Sequence, residues 1–127
     1  MIVIDKLSRT PIYEQVVSQF CRLILSGALR AGDQIPSVRA LSEKLGVNPN
    51  TLQKAYTELE TRGITTGKVG IGRFVSEDAL QKVKALQEIG TKDFKEVALR
   101  MKEAGVPMEA LQAILYAGYR VQKEDDK

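Results

Sequence analysis

Ser37-Val-Arg-Ala-Leu-Ser-Glu-Lys-Leu-Gly46-Val-Asn-Pro-Asn-Thr-Leu-Gln-Lys-Ala-Tyr56 is the stretch that decides how this chain is read. Ser37 is an N-cap residue type, and Leu41 and Leu45 fall on one face of the helix it would start. Gly46 can take the positive φ of a tight turn, and Val47 plugs the corner behind it. Asn48-Pro49 then caps and starts a second helix, since proline at the first helical position forfeits no intrahelical hydrogen bond. Leu52, Ala55, Tyr56 and Leu59 form the buried face of that helix. Ser42 is small where the two helices would cross closely. This is the layout of a helix-turn-helix, which offers the outward, N-terminal residues of its second helix to base edges in the DNA major groove.

The outward set is Asn48, Asn50, Thr51, Gln53 and Lys54. Asn and Gln can pair bidentately with adenine, Thr can meet a thymine methyl, and Lys can reach guanine or phosphate. On an isolated surface helix the same residues would serve only to cap and solubilise. The next segment of the chain tips the balance. Ile64-Thr-Thr66 and Arg73-Phe-Val75 have β character and flank Gly67-Lys-Val-Gly-Ile-Gly-Arg73, a turn with three glycines and two cations. A hairpin directly after a helix-turn-helix is a winged-helix layout. Its basic tip, with Lys68 and Arg73, can reach a minor groove or lie along phosphates. Gly70-Ile-Gly72 alone is no nucleotide-binding loop, because no βαβ unit surrounds it.

Outward from this stretch, prolines open helices and glycines close them. Thr10-Pro11 opens a helix over about 11–26, with Thr10 as cap and Tyr13, Val17, Phe20 and Ile24 on one face. The Ser37–Tyr56 stretch supplies helices over about 37–45 and 49–62. Three further helical patterns are expected over about 77–89, 91–104 and 107–122, the last opened by Val106-Pro107. Gly27, Gly46, Gly63, Gly90 and Gly105 each come after a periodic stretch, whereas Gly118 lies inside one. Glu124-Asp-Asp-Lys127 reads as a frayed polar end.

The expected architecture is mostly α with a small β-hairpin wing. Residues 1–75 form an N-terminal winged helix-turn-helix DNA-binding domain, and residues 76–127 a short C-terminal helical dimerisation or effector region. Leu80, Val83 and Leu86, then Phe94, Val97, Ala98 and Met101, then Met108, Leu111, Ile114, Leu115 and Val121 give that region three apolar stripes. About fifty residues bury too little surface to stand alone comfortably, and pairing two copies relieves the shortage. Gly118 would then allow close helix contact, and Tyr116 and Tyr119 are read as interface or core packing, with the lining of a pocket as the alternative. Cys21, beside Phe20, reads as a small buried apolar residue.

Composition excludes much else. The chain of 127 residues has no histidine and one cysteine, so histidine-dependent triads, an internal disulfide and Cys/His zinc sites are impossible. No P-loop is present. No enzymatic activity, metal or cofactor is therefore expected. Residues 1–75 carry 10 Lys/Arg against 6 Asp/Glu, a net of +4, and residues 76–127 carry 9 against 10, a net of −1. The first part is the better polyanion binder, here double-stranded DNA. No apolar run reaches membrane-span length and no secretory signal pattern opens the chain, so no membrane contact and a cytoplasmic location are expected. A rival reading, a winged helix that binds protein, would favour apolar residues at 48–54; Asn, Thr, Gln and Lys stand there instead.

Pro11-Ile-Tyr-Glu-Gln15, Gly27-Ala-Leu-Arg-Ala-Gly-Asp-Gln-Ile-Pro-Ser-Val-Arg39, Leu45-Gly-Val-Asn-Pro-Asn-Thr51, Ala55-Tyr-Thr-Glu-Leu-Glu-Thr-Arg-Gly63 and Gly70-Ile-Gly-Arg-Phe-Val75 together resemble the GntR family of bacterial winged-helix transcription regulators. The resemblance covers residues 2–75 in unbroken order. It implies DNA contacts by Ser37 and Arg39 at the start of the second helix, by Asn48, Asn50, Thr51 and Gln53 on the recognition helix, and by Gly70 and Gly72 at the wing tip. Pro49 stands where many relatives have a guanine-reading arginine, and Arg73 where threonine is commoner, adding a candidate wing contact. The short helical tail resembles the YtrA subfamily. That implies homodimerisation through the tail, binding to palindromic operators, and repression, often of transporter operons. The sequence leaves open whether a small molecule acts as effector.

Overall fold

In a computed structural model, which describes residues 2–125 and side chains as far as residue 120, the core is assembled around two crossing contacts of one helix. Helix α1 (Ile12–Ser26) buries Val16, Val17, Phe20 and Ile24. Helix α2 (Val38–Leu45) buries Leu41 and Ser42. Helix α3 (Pro49–Thr61) buries Leu52, Ala55, Tyr56 and Leu59 and packs on both α1 and α2. Ser42 stays small and satisfied at the crossing, its hydroxyl donating to the Arg39 carbonyl at 2.9 Å. The Phe20 and Tyr56 rings meet edge to face, with centroids 5.8 Å apart.

The local signals explain the helix ends. Ser37 Oγ accepts from Ala40 N at 3.0 Å, and Gly46 closes α2 with φ 66°. The first helix differs from expectation in one detail. Pro11, not Thr10, occupies the cap position, and no side chain caps it. Gln15 instead ties the segment before the helix to α1, its amide nitrogen donating to the Thr10 carbonyl at 2.8 Å.

Strands β2 (Thr65–Lys68) and β3 (Gly72–Val75) form the expected hairpin, paired from Thr65↔Val75 to Lys68↔Gly72. A third strand, β1 (Gln34–Ile35), was not expected. It pairs antiparallel with the outer side of β3, placing Gln34 opposite Phe74 and Ile35 opposite Arg73. Two residues are too few to show a period of two, so no sequence pattern announces this strand.

After the wing come two helices where three were expected. Helix α4 (Ala79–Glu103) runs unbroken through Gly90, and helix α5 (Met108–Asp125) comes next. A helix-interior glycine costs only about 1 kcal/mol, too little to end a helix by itself. Gly105 does end α4, with φ 88°, and Pro107 stands two residues on. The Thr91 hydroxyl donates back to the Gln87 carbonyl at 2.9 Å, a within-helix bond and not an N-cap. Of the polar end, Glu124 and Asp125 belong to α5, while Asp126 and Lys127 lie outside the described residues, as does the Val121 side chain.

The chain divides into two compact units, residues 1–86 and 87–127. The first extends beyond the wing because Ala79 and Val83, at the start of α4, are buried in its core and Leu86 packs against it. The second consists of the rest of α4 and α5. Among the described residues no helix is long and apolar enough to cross a membrane.

Tyr56 is completely buried, and its hydroxyl donates to the Pro36 carbonyl at 2.7 Å. Burial pushes its phenol up to about 12, with the nearby Arg73 guanidinium offsetting part of the effect. A raised folded-state value stabilises the fold fully below pH ~10, the ordinary tyrosine value, and loses that contribution as pH rises through about 12. Tyr56→Phe is expected to cost about 1–2 kcal/mol at pH 8, because the Pro36 carbonyl loses its partner. The gap between wild type and Tyr56→Phe should narrow between pH ~10 and ~12, which paired urea titrations across that range would measure.

Candidate nucleic-acid interface

Helix α3 presents a polar first half because its apolar residues are committed inward. Asn50, Gln53 and Lys54 are exposed and Thr51 is half-buried. Asn48 caps the helix, its Oδ1 accepting from Asn50 N at 2.8 Å. The cap uses only the carbonyl side of the amide, so both N–H donors of Asn48 stay available. Gln53 Nε2 donates to Thr57 Oγ1 at 3.2 Å, which leaves its Oε1 free to accept. Lys54 Nζ lies 4.0 Å from the centre of the Tyr13 ring, a cation–π contact with α1. Tyr13 in turn donates to Glu14 Oε1 at 3.2 Å, and that carboxylate raises the Tyr13 pKa above its ordinary value.

The start of α2 contributes Ser37 and Arg39. As a cap, Ser37 Oγ is an acceptor, and its own proton remains to be donated to an anionic oxygen. The Arg39 side chain is 90% exposed, with Nε 3.3 Å from Glu43 Oε1. An exposed pair of this kind holds the guanidinium weakly, so exchange for a phosphate or base is cheap.

At the wing, Lys68 Nζ sits 4.8 Å from the centre of the Phe74 ring. Ile71 N donates to the Lys68 carbonyl at 2.9 Å, and Gly70 takes φ 74°. Positive φ at the third residue of the turn alone is the type II arrangement, which favours glycine there. A Cβ on Gly70 would meet nothing within 4 Å, so its backbone is open to close approach. Gly72 is different: a Cβ there would collide with the Gln34 side-chain amide.

Arg73 is not grouped with these residues. Its side chain is only 25% exposed, its Nε lies 3.5 Å from Glu60 Oε1, and its guanidinium carbon stands 5.1 Å from the centre of the Tyr56 ring. It sits behind the wing and fastens β3 to α3.

Three ties bring α2, α3 and the wing together. Tyr56 of α3 holds the Pro36 carbonyl, immediately before Ser37. Gln34 Nε2 donates to the Ile71 carbonyl at 3.2 Å, joining the wing turn to the same segment. Arg73 joins β3 to Glu60. A fourth tie comes from the N-terminal arm. Gln15 and Gln19, one turn apart on α1, exchange side-chain hydrogen bonds with the backbone of Asp5 and Val3. Lys6 Nζ then reaches the Gly46 carbonyl at 3.4 Å, in the turn between α2 and α3. Sequence reasoning missed Gln34, Lys6 and the paired glutamines. Only the glutamines had a signal, two amides four residues apart beside an apolar stripe. Cys21 is half-buried, and burial pushes its thiol pKa up, as suits a packing residue.

Residues 12–75 match the family model described as bacterial regulatory proteins, gntR family. The HTH-type transcriptional repressor YtrA of Bacillus subtilis is 41% identical over 112 residues, covering 87% of this chain and 86% of the relative. Among solved structures, a GntR family transcriptional regulator from Listeria monocytogenes superposes with a TM-score of 0.65 at 32% identity, covering 90% of this chain and 98% of the other. The DNA-binding domain of AraR, in complex with operator ORX1, gives a TM-score of 0.52 at 29% identity, covering 57% of this chain and 90% of that one.

Two substitutions separate scaffold from surface. Asn48→Ala is expected to lower stability by about 1 kcal/mol through loss of the cap. Arg39→Ala should change stability by less than about 0.5 kcal/mol, since its ion pair with Glu43 is exposed. Denaturant melts of both variants check this directly.

Proposed function

We propose that this chain, which belongs to the GntR family of bacterial regulatory proteins, acts as a homodimeric repressor that binds palindromic operators. That it is a DNA-binding transcription regulator and not an enzyme follows from the family. The repressor reading takes its support from the relative that bears that name. The subfamily points to a transporter operon as the target, acted on in the cytoplasm.

The observation that carries the binding mode is the set of spare hydrogen-bonding groups tied together around residues 34–37. Asn48, Asn50, Thr51 and Gln53 would read base edges in the major groove, and Lys54 would leave Tyr13 for a phosphate or guanine. Ser37 would donate to a phosphate, and Arg39 would exchange Glu43 for phosphate or base. Lys68 and the Gly70–Gly72 tip would follow the minor groove. Arg73 would support the wing from behind, with its guanidinium directed at Glu60 and Tyr56.

The second unit supplies the argument for dimerisation. Between α4 and α5 lies a groove of about 520 Å³ lined by residues such as Phe94, Val97, Met101, Leu111, Leu115 and Tyr119. Ile89, Phe94, Leu99, Met108, Ile114, Tyr116 and Tyr119 are all more than half exposed, far more apolar surface than a small helical pair leaves in water. A second copy would cover it. A two-fold dimer then demands a palindrome with half-sites one helical turn, about 10 bp, or a multiple apart.

The test is salt-dependent gel shift on the promoter of its own operon, with sedimentation alongside. Each phosphate contact should contribute about 0.9 to the slope of log K against log salt, so Lys68→Ala should lower that slope and weaken all sequences alike. Leu111→Glu with Leu115→Glu should give monomers whose operator affinity falls by about 100-fold or more, because the second half-site is no longer tethered. Dimers at unchanged affinity would place the interface elsewhere.

A further inference from the structure

The side chains of Val69 and Ile71 are the parts of the wing tip to which the proposed binding mode gives no task. Val69 is fully exposed and Ile71 is 66% exposed, on either side of Gly70 at the end of the hairpin. The cations nearby are drawn away from the tip, Lys68 over the Phe74 ring and Arg73 toward Glu60. Residues 69–71 therefore end in two aliphatic side chains and a bare glycine. Among the described residues the backbone N–H groups of Val69 and Gly70 donate to no protein acceptor. The tip is also held in place, since Gln34 binds the Ile71 carbonyl and lies three residues before Ser37.

An end with free N–H donors, two apolar side chains and no polar side chain suits one kind of surface. The floor of the minor groove at A·T pairs carries only acceptors, adenine N3 and thymine O2, whereas a G·C pair adds the guanine N2 amino donor. We propose that Val69 and Ile71 make the wing select A·T pairs by excluding the guanine amino group, while the Val69 and Gly70 N–H groups meet the A·T acceptors. A guanine amino group under the two aliphatic side chains would lose its water there, and would stand as a donor opposite the Val69 and Gly70 N–H donors. This rests on the wing entering the minor groove in the proposed binding mode.

Base analogues separate the grooves. Diaminopurine·T keeps the A·T major-groove pattern and adds the minor-groove amino group; inosine·C keeps the G·C major-groove pattern and removes it. The full chain and a Val69→Ser, Ile71→Ser variant would be titrated against a duplex selected from a random library by the full chain, with each base pair replaced in turn. For the wild type, diaminopurine should weaken binding about tenfold at the A·T pairs under the wing, and inosine should restore binding where G·C has been placed there. In the double variant that discrimination should fall below about twofold, with the rest of the profile unchanged. A wild-type profile flat to the amino group at every position of a duplex that still binds would overturn the wing assignment alone. Discrimination that survives in the double variant would equally remove Val69 and Ile71 from the readout. Selection that returns no duplex would overturn the DNA-binding mode on which both rest.

Discussion

The hydrogen bond from the Tyr56 hydroxyl to the Pro36 carbonyl is the constraint on which the rest of the first unit depends. A fully buried tyrosine is stable only if its hydroxyl finds an acceptor, and here the acceptor is the residue just before the cap of α2. The same ring meets Phe20 of α1 at its edge and the Arg73 guanidinium of β3. One side chain thus fixes α3 against α1, against the entry to α2 and against the wing. Displacing it would loosen every element that carries a proposed contact.

Such a scaffold lets the surface remain uncommitted. Ser37 and Asn48 each spend one hydrogen-bonding function on a cap and retain another. Arg39, Lys54 and Lys68 are held by an exposed ion pair and two cation–π contacts, all weak enough to be traded for an anion. Arg73 shows the opposite arrangement. Its own side chain is only 25% exposed and lies against the buried Tyr56 ring, so it belongs to the scaffold although it sits in the wing sequence.

Helices and the core of the first unit were legible because their signals are local. Caps at Ser37 and Asn48, the turn at Gly46, and the apolar spacing from Leu41 to Leu59 each report their own neighbourhood. Strand β1 was not legible, since two residues define no period and Gln34 is placed by its partner Phe74, forty positions on. The break expected at Gly90 failed because a glycine permits a turn without requiring one, whereas Gly105 is backed by Pro107. Of the candidate site, the exposed residues of α3 could be read from the helical period. The inward pull on Arg73 could not, because it comes from Glu60 and Tyr56 on another element. The Gln34 brace and the reach of Lys6 to Gly46 likewise join residues that the sequence keeps far apart.

Backbone amide shifts of the labelled full chain, titrated with its selected operator duplex and with a scrambled duplex, test the central claim most directly. The account predicts operator-specific changes concentrated at residues 37–39, 48–54 and 68–72, with the amides around Tyr56 and Arg73 nearly unmoved. Changes concentrated in α4 and α5, or identical for the two duplexes, would contradict it.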